Sequence, residues 1–410
     1  MKVLFIELYY FPSIASTAQL LSQLCNRLVD EHPELELSVL ASDLGYSGNE
    51  GDLERGFQID PRIQIKRISV PKADKNNLSL RLIAYLIYYL RASLFLIFQS
   101  HKYDKIISLS NPPFISLMSG FWGKLYGKET IFWLMDMYPD ALEAKNPGSK
   151  NGLVYKTLDR IARGQYRLNK KVVSLSSCMK DKLVAKGVPA EKISVIPNWA
   201  DDRVFAEDPK LIEEGIFSRF KDRFVLTYFG NMGIGHQFDS ILGLAERFAN
   251  HPLISFVFVG GGHRKPEIQA WYETHPMDNF HLFDYISPEQ VPELLAITHF
   301  SFISIRQGFE AIIVPSKLYP SLAAGVPILL YSPQNNEIDK TIETHAVGGT
   351  FKEGEIEAAA NYIESFLTDP ESWQKLSSHT RRVYFDHYSL AKSSQRWAQL
   401  LRLSKQTITV

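Results

Sequence analysis

Residues 301–331 read SFISIRQGFEAIIVPSKLYPSLAAGVPILLY, and this stretch sets the narrowest limits on what the chain can fold into. Phe302, Ile303 and Ile305 form a short apolar run with strand character, and a loop carrying Glu310 follows. Pro315-Ser316-Lys317 then opens a helix with Ser316 placed as its cap, and Gly325 followed by Pro327 ends it. Val326 to Leu330 begins the next buried strand. The first-turn amides at Ser316, Lys317 and Leu318 carry partial positive charge into the crevice beyond the strand ends, and Lys317 adds a full charge. Strand, acid, helix start and lysine together suit a phosphate. The same pattern also fits an ordinary βα unit with a capped helix and no ligand.

The alternation recurs along the chain. Residues 2–9 are strand-like, 12–17 form a turn of small residues, and Leu20, Leu21, Leu24 and Leu28 mark a helix over 18–30. Further strands are expected at 36–42, 63–70, 105–109, 129–135, 171–175 and 193–196, and in the second half at 224–229, 256–259 and 279–285. Ser287 to Gln290 has the form of a capping box, and 356–367, 371–387 and 389–405 read as helices. The turn at 12–17 has no glycine, so the dinucleotide fingerprint of a dehydrogenase is missing. In the second half, Gly230-Asn231-Met232-Gly233 follows a strand, and glycines there let a phosphate reach the backbone. His236 and Arg264 read as solvated loop residues, Arg264 being a further cation for a diphosphate.

The 410 residues suit two domains, and 45 basic against 45 acidic side chains leave no field for nucleic acid. Two distant cysteines, Cys25 and Cys178, make neither a disulfide scaffold nor a zinc site. The amino terminus reads as a strand and not as a signal peptide, so a reducing cytoplasm is expected. Residues 78–98 (LSLRLIAYLIYYLRASLFLIF) approach membrane-span length, but Arg81 and Arg91 interrupt them. They read as a helix packed on a sheet, or as a surface lying peripherally on the inner membrane face that Trp122, Lys124, Tyr126 and Lys128 extend.

PSKLY…LAAGVP, IPNWAD at 196–201 and DMYPD at 136–140 resemble the GT4-type retaining glycosyltransferases, closest to the subgroup that makes bacterial surface polysaccharides. The resemblance covers nearly the whole chain. It implies an α/β protein of GT-B fold: an acceptor-side Rossmann-like domain over 1–200, a nucleotide-sugar donor domain over 201–387, and a C-terminal helix over 388–410 returning to the first domain. By this likeness Ser16 and Thr17 line the acceptor side, Thr17 being equally placed to cap its helix. Asp136 stands near the acceptor hydroxyl as base or hydrogen-bond acceptor, with a turn or cap role as the alternative, and Asp140 is the helix cap. Tyr285 lies where the family holds the nucleotide base. Glu310 bonds the sugar or supports positive charge at its anomeric carbon. The donor-binding set is then Gly230, Asn231, Gly233, Arg264, Tyr285, Ser316, Lys317 and Leu318.

Two departures stand out. The family's second glutamate falls on Pro320, and Glu310 sits two residues before the place of the first. The usual basic pair near the glycine turn is replaced by Asn231 and His236. The expectation is transfer from a nucleotide-diphosphate sugar to a lipid-linked or saccharide acceptor, with no metal and no cofactor. A GT-B nucleotide-sugar epimerase and a non-catalytic nucleotide-sugar-binding subunit remain as alternatives.

Overall fold

The computed structural model describes residues 1–13, 15–44, 57–72, 78–140, 152–201, 213–310, 312 and 315–403. The chain divides into two compact units, Met1–Pro197 with Ser393–Val410, and Asn198–Lys392.

The first unit is built on a parallel sheet ordered β3-β2-β1-β4-β5-β6-β7. Its strands are β1 (Lys2–Ile6), β2 (Glu36–Ser42), β3 (Gln64–Ile68), β4 (Lys105–Ser108), β5 (Glu129–Trp133), β6 (Lys171–Ser174) and β7 (Ile193–Val195). Helices α1 (Ser16–Glu31), α2 (Leu78–Gln99), α3 (Ile115–Leu125), α4 (Leu153–Leu168) and α5 (Ser177–Ala185) alternate with them. The second unit has the order β10-β9-β8-β11-β12-β13. Its strands are β8 (Phe224–Asn231), β9 (Ile254–Gly261), β10 (Phe280–Phe283), β11 (Thr298–Ser304), β12 (Ile328–Tyr331) and β13 (Gly348–Phe351). Its helices are α6 (Asp239–Arg247), α7 (Lys265–Thr274), α8 (Val291–Ala296), α9 (Leu318–Ala323), α10 (Glu337–His345), α11 (Ile356–Leu367) and α12 (Pro370–His387).

Parallel strands covered on both faces bury every side chain, and Val3 to Ile6 and Ile328 to Tyr331 do so. In each sheet the strand order reverses once, between β1 and β4 and between β8 and β11. Ligands of open α/β sheets bind outside the carboxyl ends of the strands at such a reversal.

The last helix, α13 (Leu390–Leu401), belongs to the first unit from Ser393 onward. Trp397 is fully buried, with its ring 4.8 Å from that of Trp133 and 6.2 Å from that of Phe5. Ser393 Oγ donates to Pro197 O at 3.1 Å and Ser394 Oγ to Glu31 at 2.7 Å, so both faces of the helix are fixed. The helix stops at Leu401, short of the expected 405, where Arg402 turns to φ 57° and Leu403 N donates back to Ala398 O at 2.9 Å.

Several boundaries differ from expectation. The third strand stops at Ile68 because Ser69 Oγ and Val70 N both turn to the Asp43 carboxylate, at 2.7 and 2.9 Å. Ser287 and Gln290 form the expected capping box, but it opens a single 3₁₀ turn before α8. The helix after Pro315 starts at Leu318, with Lys317 at its N-cap and no side-chain cap bond, so Ser316 does not cap it and stands exposed. Gly325, at φ 74°, stops the chain of turns as expected. β13 has no apolar pattern, being Gly-Gly-Thr-Phe. Gly348 is needed there because a Cβ would lie 1.9 Å from Ile328 O.

Candidate functional site

In the second unit the strand reversal is lined by the turn after β8 and the segment after β11. Gly230, next to last in β8, sits at φ 96°, and β9 comes so close that a Cβ on Gly260 would stand 2.0 Å from Gly230 O. Met232 N donates to Gly261 O at 2.7 Å and Arg264 N to Met232 O at 2.9 Å, which locks the two glycine turns together. Asn231 is exposed at the lip, its amide against Gly233 and Gly262.

Behind this turn sits a buried polar group. Tyr228 is fully buried and its hydroxyl donates to Asn231 O at 3.0 Å. Lys317 Nζ rests over the Tyr228 ring, 3.3 Å from its centroid. The lysine is 6% exposed, and its ammonium has no hydrogen-bond partner among the described residues. Burial pushes its pKa well below the ordinary lysine value. Ser321 Oγ donates to Lys317 O at 2.8 Å and fixes its backbone. A desolvated cation facing only an aromatic ring is costly, and an anion beside it would remove that cost.

His236 and Arg264 are not the solvated residues that the sequence suggested. His236 is 9% exposed, with Nδ1 2.7 Å from Ser304 O at the end of β11. Burial first, then the charges of Lys317 and Arg264, hold its pKa down at about 4. Arg264 donates to His236 O at 3.0 Å and pairs with Glu267 at 2.8 Å, so its guanidinium is anchored beside the turn. Tyr285 is 63% exposed with its ring laid on Gly261, its hydroxyl donating to Gly261 O at 2.9 Å.

The remaining donor-side expectations fare unevenly. Leu318 is buried and its N–H closes the turn to Pro315 O at 3.1 Å, so neither group is open to a ligand. Ser316 is exposed beside Lys317. Glu310 folds back on its own loop, accepting from Gly308 N at 2.9 and 3.0 Å.

In the first unit the reversal gathers a different set. Glu7, directly after β1, is fully buried. Thr17 Oγ1 donates to its Oε1 at 3.1 Å, and Oε2 has no hydrogen-bond partner among the described residues. Burial, with the charge of Asp136 added, pushes its pKa well above the usual carboxylate range. Thr17 lies within α1, whose N-cap is Ala15, so it serves Glu7 rather than a cap; Ser16 is exposed at the helix start. Asp136 is exposed just beyond β5, its backbone held by Ser110 Oγ, which accepts from Met135 N at 2.8 Å and Asp136 N at 3.4 Å. Asp140 is not solvated as a simple cap would be. It is 2% exposed and ion-paired with Lys186 at 2.9 Å and Lys182 at 3.4 Å. Sequence reasoning passed over Glu7, although an acid closing the apolar run VLFI was a visible signal.

Residues 212–383 match the family model described as glycosyl transferases group 1. WcaI of Escherichia coli (strain K12), named for glycosyl transfer in colanic acid biosynthesis, is 25% identical over 251 residues, 59% of this chain and 61% of WcaI's own length. WbjE of Pseudomonas aeruginosa, named as a glycosyltransferase, is 22% identical over 84% of this chain and 86% of that protein. The crystal structure of Anabaena HepE in complex with UDP aligns with a TM-score of 0.70 at 15% identity, covering 98% of this chain and all of HepE. The chain therefore has the GT-B fold, and the family match with the named relatives supports a GT-B glycosyltransferase.

Proposed function

We propose that the chain is a retaining glycosyltransferase, moving a sugar from a nucleotide-diphosphate sugar to a hydroxyl acceptor, without a metal, in the assembly of a bacterial surface polysaccharide. The observation that carries the reading is Lys317: a buried ammonium with no hydrogen-bond partner among the described residues, seated at the strand reversal behind a glycine turn. In the reaction the bond from the anomeric carbon to the diphosphate breaks, and the acceptor oxygen bonds that carbon on the same face. Lys317 and the amides of the Gly230–Gly233 turn meet the charge on the leaving diphosphate, the term that usually dominates such catalysis. Arg264, held beside the turn, is the second cation, and Tyr285 offers its exposed ring to the base. On the first unit, Asp136 takes the proton of the acceptor hydroxyl. The cytoplasm is the proposed compartment.

HepE was crystallised with UDP, which supports trying uridine nucleotides first. The test is thermal unfolding of the full chain with UDP, GDP, ADP and dTDP in parallel. One nucleotide at a hundredfold excess over its Kd should add about 2.7 kcal/mol. The matching sugar nucleotides are then assayed for release of the nucleotide with and without saccharide acceptors, and the product's anomeric configuration is read by NMR. Release that needs an acceptor, with retained configuration, bears the proposal out. Binding without turnover would favour a sugar-nucleotide-binding subunit, which the engagement of Glu310 by its own loop and Pro320 at the second glutamate position already support. Turnover with no acceptor dependence would favour an epimerase.

A further inference from the structure

The outer surface of the first unit carries a large apolar face that none of the unit's described residues covers. Helix α2 packs on the sheet through Ala84, Tyr88, Ala92 and Leu96, one residue per turn and all fully buried. The opposite side presents Leu82, Ile83, Leu86, Leu90, Leu94 and Phe98, each between 48% and 65% exposed. Helix α3 lies alongside, with Trp122 Nε1 donating to Ser93 Oγ at 2.8 Å and Tyr126 hydroxyl to Ile97 O. Its own outward residues, Phe121 and Leu125, are 53% and 65% exposed and extend the same face. From Leu82 to Phe98 the strip runs roughly 24 Å. Single exposed leucines need no explanation, but a contiguous face of this size does.

Charge says what covers it. Between Leu78 and Lys128, setting aside Lys105, which is buried against Glu129, the sequence has two arginines and three lysines against one acid, Asp104, and neither α2 nor α3 contains any acid. Arg91, Lys102 and Lys124 are exposed around the apolar strip. A second copy of the chain docking here would bring two cationic rims together. A transmembrane passage is barred, although α2 is long and apolar enough for one, because its other side is sealed on the sheet. Leucines ringed by lysine and arginine, with a tryptophan and a tyrosine at the edge, match an anionic bilayer surface.

We propose that the α2–α3 face seats the first unit on an anionic lipid membrane, with the leucines entering the headgroup–acyl boundary and the basic rim on the lipid phosphates. The same helix joins this face to the strand reversal: Tyr88 hydroxyl donates to Glu7 O at 3.1 Å, and Tyr89 hydroxyl to Pro113 O. An acceptor carried on a lipid would thus be presented at the end of the sheet where Asp136 stands. The docking itself does not depend on the transferase reading.

Co-sedimentation of the full chain with vesicles tests it. Wild type is expected to bind phosphatidylcholine vesicles containing about one-third phosphatidylglycerol, and to bind pure phosphatidylcholine far more weakly. Leu86→Glu, Leu90→Glu and Leu94→Glu should each weaken binding roughly tenfold. Lys102→Gln and Lys124→Gln should each weaken only the phosphatidylglycerol-dependent part, about fivefold per charge. All five sites are exposed, and an unchanged unfolding midpoint confirms folding. Unchanged binding in the leucine variants, or no binding by wild type, overturns the proposal. So does a wild-type dimer in light scattering that Leu90→Glu dissociates without any vesicle binding. The nucleotide-induced stabilisation, read on the same variants, should not move, so a failure here is distinguishable from failure of the transferase reading.

Discussion

Replacing Lys317 by methionine should have two effects of opposite sign. The ammonium is buried against the Tyr228 ring, with no hydrogen-bond partner among the described residues. Burying an ion costs several kcal/mol, and a buried cation–π contact returns about 2 kcal/mol, so the empty site carries a net penalty. Methionine keeps the stem and drops the charge. The unliganded protein should gain about 1–3 kcal/mol, a rise in Tm of roughly 2–10 °C for a unit of this size. The pKa of Lys317 is depressed in the fold, so the unfolded chain binds more protons between that pKa and 10.5. Wild-type stability therefore rises with pH in that window, and the advantage of Lys317→Met shrinks as pH climbs toward 10. Nucleotide binding should move the other way. A charge-assisted bond to the diphosphate is worth about 1.5–3 kcal/mol, so Kd should rise roughly 10- to 150-fold. At a concentration a hundredfold above the wild-type Kd, the ligand's stabilisation should fall from about 2.7 kcal/mol to about 1.4 or less. Differential scanning fluorimetry with and without nucleotide reads both effects. A variant that loses stability when empty and keeps its full nucleotide shift would refute the argument.

Other outcomes follow from the same geometry. His236 titrates near 4 in the fold against 6.5 unfolded, so stability should be lost as pH falls from 6.5 to 4, by about 3 kcal/mol. His236→Asn, which keeps the donor to Ser304 O, should flatten that acid limb in urea titrations, and an unaltered limb would count against it. Glu7, whose pKa is raised by burial, holds its proton to higher pH in the fold than in the unfolded chain, so its contribution falls as pH rises above 4.5. Glu7→Gln should therefore gain on wild type with rising pH, while Glu7→Ala takes away the acceptor of Thr17 Oγ1 and should cost about 1–3 kcal/mol; equal denaturation midpoints for the two variants would contradict this. Gly260→Ala, forced against Gly230 O, should lower stability by at least about 2 kcal/mol and weaken the nucleotide shift, and a wild-type urea midpoint would show that the turn has slack.

Much of the architecture was legible because parallel strands buried on both faces are written as unbroken apolar runs, as in Val3–Ile6 and Ile328–Tyr331. What was not legible came from contacts distant in sequence. His236 looked like a loop residue until β11 supplied Ser304 O, 68 positions away. Asp140 reads as a cap by position, and its burial between Lys182 of α5 and Lys186 just past that helix was not visible in the sequence. Ser316 was a sound cap by residue type, but the backbone delayed the helix to Leu318 and used Lys317 at the boundary. Lys317 itself was visible as a charge near a helix start. Its isolation in an apolar wall, the property that gives the site its chemistry, belongs to the packing of Tyr228 beneath it.

The placement of α13 has a consequence for how the chain is made. Trp397 fills the space between Phe5 and Trp133, yet it is translated 264 residues after Trp133 (397 minus 133). At about 5–20 residues per second, the first sheet waits roughly 13–50 s on the ribosome with that seat vacant. During this interval the indole of Trp133 and the ring of Phe5 face water or a chaperone, while the whole second unit emerges and closes on its own core. A nascent chain stalled before Ser393 would hold one finished half and one unsealed half. Shortening the protein by its last helix would thus harm the part synthesised first.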